Sequence, residues 1–232
     1  MLRAMRTDPK RTGPSPLPMA STRLLGRRRV LGLLALGAVA GVLTACGRKG
    51  ARGKLTPLAA DAVVLAFGDS LTFGTGANPQ EAYPAVLAGL IQRKVVGSGV
   101  PGEVSADGLA RLPDVMDEVK PRLLLLCHGG NDFLRKLDDT QAAANVRAMI
   151  RLARERGAQV LLVGVPKPGL VPSPAEFYAD IAKEFGIPYE DGILKSILTD
   201  SRLKADLVHP NARGYERFAK AIAELMKKEG AL

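Results

Sequence analysis

Short apolar runs alternating with helical patterns constrain this chain more than any other feature of it. From residue 61 onward, strand-like runs occur at 62–67, 93–97, 122–127, 158–163 and, briefly, 187–189. Helical patterns lie between and after them, near 81–92, 108–119, 139–156, 174–185 and 211–228. A run such as Ala62-Val63-Val64-Leu65-Ala66, ended by turn residues, reads as a buried strand. Helix punctuation agrees: Ser173-Pro174-Ala175-Glu176 offers a serine N-cap, proline at N1 and glutamate at N3. Gly157 and Gly186 stand where C-caps belong. Such alternation implies right-handed crossovers and a parallel sheet covered on both faces. The expectation is an α/β domain, a three-layer αβα sandwich with a five-stranded parallel sheet in flavodoxin-like order. A chain of 232 residues has room for one such domain with a full core.

Ligands of parallel sheets bind at the carboxyl edge, so the residues after each strand carry functional weight. Strand one leads into Gly68-Asp69-Ser70-Leu71. There Ser70 can present its hydroxyl together with its own N–H, although Asp-Ser after a strand is also an ordinary turn. Strand two leads into Gly97-Ser98-Gly99-Val100-Pro101-Gly102, which satisfies G-x-G-x-x-G. A dinucleotide reading fails on three grounds: the strand is not the first, Pro101 lacks an N–H, and the next strand ends in Cys127-His128 without an acid. What the glycines offer instead is a loop of amides on the same edge as Ser70. Strand three ends in His128-Gly129-Gly130-Asn131-Asp132. The Asn131 amide is an uncharged donor, suited to an oxygen that turns negative only in a transition state; Asn-Asp is also a common helix cap.

Before the last helix comes Asp206-Leu207-Val208-His209-Pro210-Asn211. The three-residue spacing puts Asp206 and His209 within hydrogen-bonding reach in a turn or helix. A carboxylate on one ring nitrogen fixes the tautomer and leaves the other nitrogen free as a base. Asn211 suits the N-cap of the following helix. The other histidine, His128, reads as a strand-end residue, and Cys127 as a small apolar packing residue. The loop Gly164–Pro172, proline-stiffened with Lys167 as its one charge, falls on the same edge after strand four.

Taken in order, these blocks strongly resemble the SGNH (GDSL-type) hydrolase superfamily, over nearly all of 61–230. Gly102-Glu103-Val104-Ser105 followed by Gly108-Leu109-Ala110-Arg111-Leu112-Pro113 looks like its bacterial periplasmic thioesterase/lysophospholipase and arylesterase branch. The resemblance implies Ser70 as nucleophile, Asp206 as orienting acid and His209 as base. The N–H groups of Ser70 and Gly102, with the Asn131 amide, would form the oxyanion hole, and neither metal nor cofactor would be needed. It implies a small-molecule or lipid ester substrate with a short to medium acyl chain, lysophospholipids and acyl thioesters included, in a pocket shaped by the 164–172 loop. A carbohydrate O-acetyl esterase on the same scaffold, and a non-catalytic ligand-binding envelope lipoprotein, are the alternatives.

The formal net charge of +10 invites a nucleic-acid partner, but residues 1–45 hold eight Lys/Arg against one acid, so seven of those charges lie there. No basic patch with interleaved aromatics follows, and no nucleic acid is expected. Arg27-Arg28-Arg29, an apolar run to Val42 and Leu43-Thr44-Ala45-Cys46 describe a signal peptide over 1–45. The competing reading is an uncleaved membrane-anchor helix. The last four residues resemble a bacterial lipobox, which implies acylation of Cys46 and a membrane-anchored protein of the cell envelope. The arginines resemble a twin-arginine export signal, and Met19 is an alternative start. Residues 46–60, without periodicity, suit a flexible tether, which leaves 61–232 as the domain, expected to be a monomer. With Cys46 acylated, Cys127 is the only remaining thiol and no disulfide forms.

Overall fold

The computed structural model describes residues 55–232. The expected signal peptide, the lipobox with Cys46 and tether residues 46–54 lie outside the described residues. Strands β1 (Val63–Gly68), β2 (Lys94–Gly99), β3 (Leu123–Cys127), β4 (Gln159–Val163) and β7 (Tyr189–Glu190) form one sheet in the order β2-β1-β3-β4-β7, every pair parallel. This is the expected flavodoxin-like order. β5 (Pro166–Lys167) and β6 (Ser173–Pro174) form a separate two-residue antiparallel ladder.

All five residues of β3 are buried, as a strand covered on both faces requires, and that explains its unbroken Leu run. Right-handed crossovers put α2 (Tyr83–Ile91) on one face and α3 (Ser105–Val119), α5 (Asp139–Glu155) and α6 (Glu176–Phe185) on the other. α7 (Ile193–Thr199) and α8 (Ala212–Lys228) complete the first layer, with α8 packed on α2. α8 buries Tyr215, Phe218, Ala219, Ile222, Ala223 and Met226, a single apolar stripe at helical spacing. Asn211 caps it as expected, its side chain accepting from Gly214 N–H at 3.1 Å, and Lys227 and Lys228 sit favourably at the negative end of its dipole.

Three local expectations are corrected. Ser173 and Pro174 do not open α6: they pair with Pro166 and Lys167, and the helix starts at Glu176 behind Ala175, which has no side chain to cap with. Gly97-Ser98-Gly99 is not a loop but the end of β2, so the G-x-G-x-x-G pattern makes no strand-to-helix turn. The tether ends before 60. Leu55 and Leu58 are buried, their N–H groups bonded to Glu229 and Ala231 carbonyls, and Thr56 hydrogen bonds to Gln159 at the amino end of β4. Among the described residues no helix is long and apolar enough to cross a membrane.

Register levels the carboxyl ends of the first three strands. Gly68 lies opposite Gly99 on one side and Cys127 on the other. The loops after β1, β2 and β3 therefore begin on one rim. A Cβ on Gly68 would stand 2.0 Å from the Cys127 carbonyl oxygen and 2.5 Å from Thr72 Oγ1. Because the first obstacle is backbone, Gly68→Ala is expected to cost at least the ~1–3 kcal/mol of an overpacked site and to shift Ser70, two residues on. A joint fall in urea midpoint and in ester turnover checks this.

Candidate active site

Ser70 opens α1 (Ser70–Phe73), a single turn capped by the buried Asp69 carboxylate, which accepts from Leu71 N–H at 3.1 Å. Burial pushes the Asp69 carboxyl up, against the hydrogen bond from Leu71 N–H. The cap holds Ser70 at the start of the turn with its hydroxyl toward the rim. Ser70 Oγ lies 2.9 Å from His209 Nε2, and His209 Nδ1 lies 2.7 Å from Asp206 Oδ2.

The segment carrying His209 is tied down from several directions. Asp206 Oδ1 accepts from the N–H groups of Val208 (2.8 Å) and His209 (2.9 Å), which folds the turn around its own carboxylate. Ala205 N–H donates to the His209 carbonyl, and the Asn211 amide donates to Arg202 and Lys204 carbonyls. Partial burial pushes the Asp206 carboxyl up, but the bonds from the His209 ring and the two N–H groups outweigh it and hold it below the usual carboxylate range. Asp206 thus stays ionised, and its partner nitrogen carries the proton. Tyr215, one turn into α8, donates to the Thr75 carbonyl at 2.9 Å and locks this segment to the loop after α1.

Gly102 and Asn131 line the same cleft of about 870 Å³ as Ser70 and His209. Gly102 has φ 78°, a left-handed conformation that glycine adopts without strain. The Asn131 amide nitrogen donates to the Glu103 carbonyl at 3.0 Å, and Asp69 Oδ2 lies 3.4 Å away. One amide hydrogen thus holds the Gly102 loop in place. The five sequence-predicted residues Ser70, Gly102, Asn131, Asp206 and His209 come together; Cys46 lies outside the described residues.

Several residues that fix this geometry were not singled out from the sequence as part of the site. Glu103 grips Arg111 through two bonds of 2.8 Å, and Arg111 also reaches Ser98 Oγ at 2.6 Å and covers the Phe67 ring at 4.3 Å. His128, wholly buried, accepts from Gly129 N–H on Nδ1, which assigns its proton to Nε2, 3.1 Å from Glu103 Oε2. Asp132 accepts from both the N–H and the hydroxyl of Ser105, so it caps α3 rather than its own helix α4 (Gly130–Leu134). The signal was present in the quoted blocks, but each side-chain partner sits eight or more residues away.

Burial pushes the Glu103 carboxyl up, yet the Arg111 and His128 hydrogen bonds prevail and hold it down at about 2. Its folded value lies below the unfolded one, so the stabilisation is present above about pH 4.5 and is lost as pH falls toward 2. The expected result is a steep loss of urea stability across that window, which Glu103→Gln flattens.

The far wall is the 164–172 loop, as expected, from which Val165, Pro166, Leu170 and Pro172 line the cleft. Lys167 pairs with Asp139 and lies 5.1 Å from the Phe133 ring centre, which pins the foot of the loop. Among the described residues no group of three His, Cys, Asp or Glu side chains is placed to hold a metal ion.

A hydroxyl, an imidazole and a carboxylate in one line, at the carboxyl edge of a doubly wound sheet, define a serine-hydrolase-type arrangement on an α/β scaffold. The GDSL-like Lipase/Acylhydrolase family matches residues 66–217, and the chain belongs to that family. It is 31% identical to Thioesterase 1/protease 1/lysophospholipase L1 of Escherichia coli K12 over 179 residues, 74% of this chain and 84% of that protein. Esterase TesA of Pseudomonas aeruginosa is 37% identical over 119 residues; that match takes in 49% of this chain and only 59% of the relative's length. Among solved structures, AlinE4, an SGNH-hydrolase family esterase, superposes with a TM-score of 0.58 at 30% identity, over 74% of this chain and 97% of that one.

Proposed function

We propose that the chain is a serine carboxylic ester hydrolase acting on short to medium acyl chains, lysophospholipids and acyl thioesters among its substrates. The observation that carries this is the unbroken line Ser70 Oγ, His209 Nε2, His209 Nδ1, Asp206 Oδ2 at the mouth of a largely apolar cleft. His209 Nε2 takes the Ser70 proton as Oγ bonds to the carbonyl carbon. The resulting oxyanion faces the N–H groups of Ser70 and Gly102 and the Asn131 amide. Collapse breaks the bond to the alcohol or thiol, which leaves with the proton from His209. Water then attacks the acyl-enzyme, giving its proton to His209, and the acid departs as Ser70 Oγ recovers it. The names of the relatives, esterase and thioesterase/lysophospholipase, support the same chemistry.

The test is a fluorophosphonate label mapped by peptide mass, together with hydrolysis of p-nitrophenyl esters of rising chain length. A single label on Ser70 and a preference for acyl over acetylated-sugar substrates are expected; an unlabelled Ser70 sinks the reading. The same proposal includes export and an acyl group on Cys46, supported by Leu43-Thr44-Ala45-Cys46 after an apolar run. Intact mass of the exported chain checks it.

A further inference from the structure

The mouth of the cleft is ringed by exposed aliphatic side chains from three separate segments. Leu170 is fully exposed, Val171 65%, Leu207 84% and Leu134 48% exposed, and Leu134, Leu170 and Leu207 line the cleft itself. Single exposed leucines are ordinary, but convergence of several on one opening is not. Each segment also carries a cation close in sequence: Arg135 and Lys136 beside Leu134, Lys167 before Leu170, Lys204 before Leu207.

The acids of the same segments are already engaged. Asp138 accepts from Thr140 N–H, Asp139 pairs with Lys167, Asp200 with Arg202, and Asp206 with His209. Among the described residues neither Lys136 nor Lys204 makes an ion pair. The rim is thus apolar at its tips, with Lys136 and Lys204 unpaired beside them and a net charge of +1 over Arg135, Lys136, Asp138, Asp139, Lys167, Asp200, Arg202, Lys204 and Asp206.

We infer that this rim is a docking surface for a lipid layer bearing anionic headgroups. Leucine tips enter the acyl region while lysines beside them stay at headgroup level, the pattern of an interfacial contact. A protein covering these residues would close the cleft that the ester-hydrolase reading requires to be open; a lipid layer covers them and also delivers the ester. The inference rests on that reading for this one step. The first described residues lie at the opposite, amino edge of the sheet, where Thr56 meets Gln159.

The chain contains no tryptophan, so a single introduced one reports its own surroundings. Leu170→Trp, Leu207→Trp and, as a control, Leu90→Trp on α2 are made in the full chain carrying Cys46→Ser. Each is mixed with phosphatidylglycerol vesicles containing brominated acyl chains. The tryptophans at 170 and 207 are expected to shift to the blue and be quenched, and that at 90 to do neither. Lys136→Glu, outside the cleft, is expected to weaken vesicle binding about fivefold or more while soluble-ester turnover is unchanged. Rim tryptophans unquenched at saturating lipid, or equal quenching at position 90, would overturn the inference. So would a rim shift that appears without lipid and grows with protein concentration, which would place a second copy there. Because the signal needs no turnover, its failure is distinct from failure of the esterase reading.

Discussion

Ser70→Ala is expected to lower ester turnover by about 10⁴- to 10⁶-fold while leaving the fold in place. Its hydroxyl bonds to His209 alone among the described side-chain contacts, and the Asp69 cap on Leu71 does not depend on it. The urea midpoint should therefore move little, as for a substitution at a partly exposed site. What remains in the variant is the cleft and the proposed oxyanion donors, which are expected to sustain a modest acceleration over water. Pre-steady-state hydrolysis of a p-nitrophenyl ester is the measurement: the parent releases a burst of nitrophenol, the variant none. Turnover above a few per cent of the parent would exclude Ser70 as the nucleophile.

Asn131→Ala should cost about 10²- to 10³-fold in kcat, the loss of one oxyanion donor, with KM little changed. The split matters because Asn131 has two duties. Its amide also holds the Glu103 carbonyl at 3.0 Å, so the variant should lose about 1 kcal/mol of stability as well. A purely structural role would lower the unfolding midpoint and leave kcat per folded molecule intact. Asn131→Asp is the sharper comparison: it keeps the shape but replaces donors by a charge close to Asp69, and it should rescue nothing. Equal changes in kcat and KM would remove Asn131 from the transition state.

Where the sequence was legible, the information was local. The β3 run is apolar because both faces of that strand are covered, and Asp206 and His209 pair because three residues of turn bring them together. The first three blocks could be assigned to one rim because parallel strands of matched register must end together. What could not be read depends on distant partners. Ser173 looks like a cap until Lys167 draws it into a ladder, and Leu55 and Leu58 look like tether until the end of the chain covers them. Glu103, Arg111 and His128 become a unit only once β2 and β3 stand with β1 between them. Asp132, read as a helix cap, caps a different helix from the one it lies in.

The proposed nucleophile Ser70 and its proposed base His209 are separated by 139 residues, and Tyr215 and Asn211 hold the segment bearing His209. On the proposed mechanism, a ribosome must therefore complete nearly the whole domain before any acyl transfer can occur. Until then the growing polypeptide displays the serine but has nothing to deprotonate it, and it is harmless to the esters around it during synthesis.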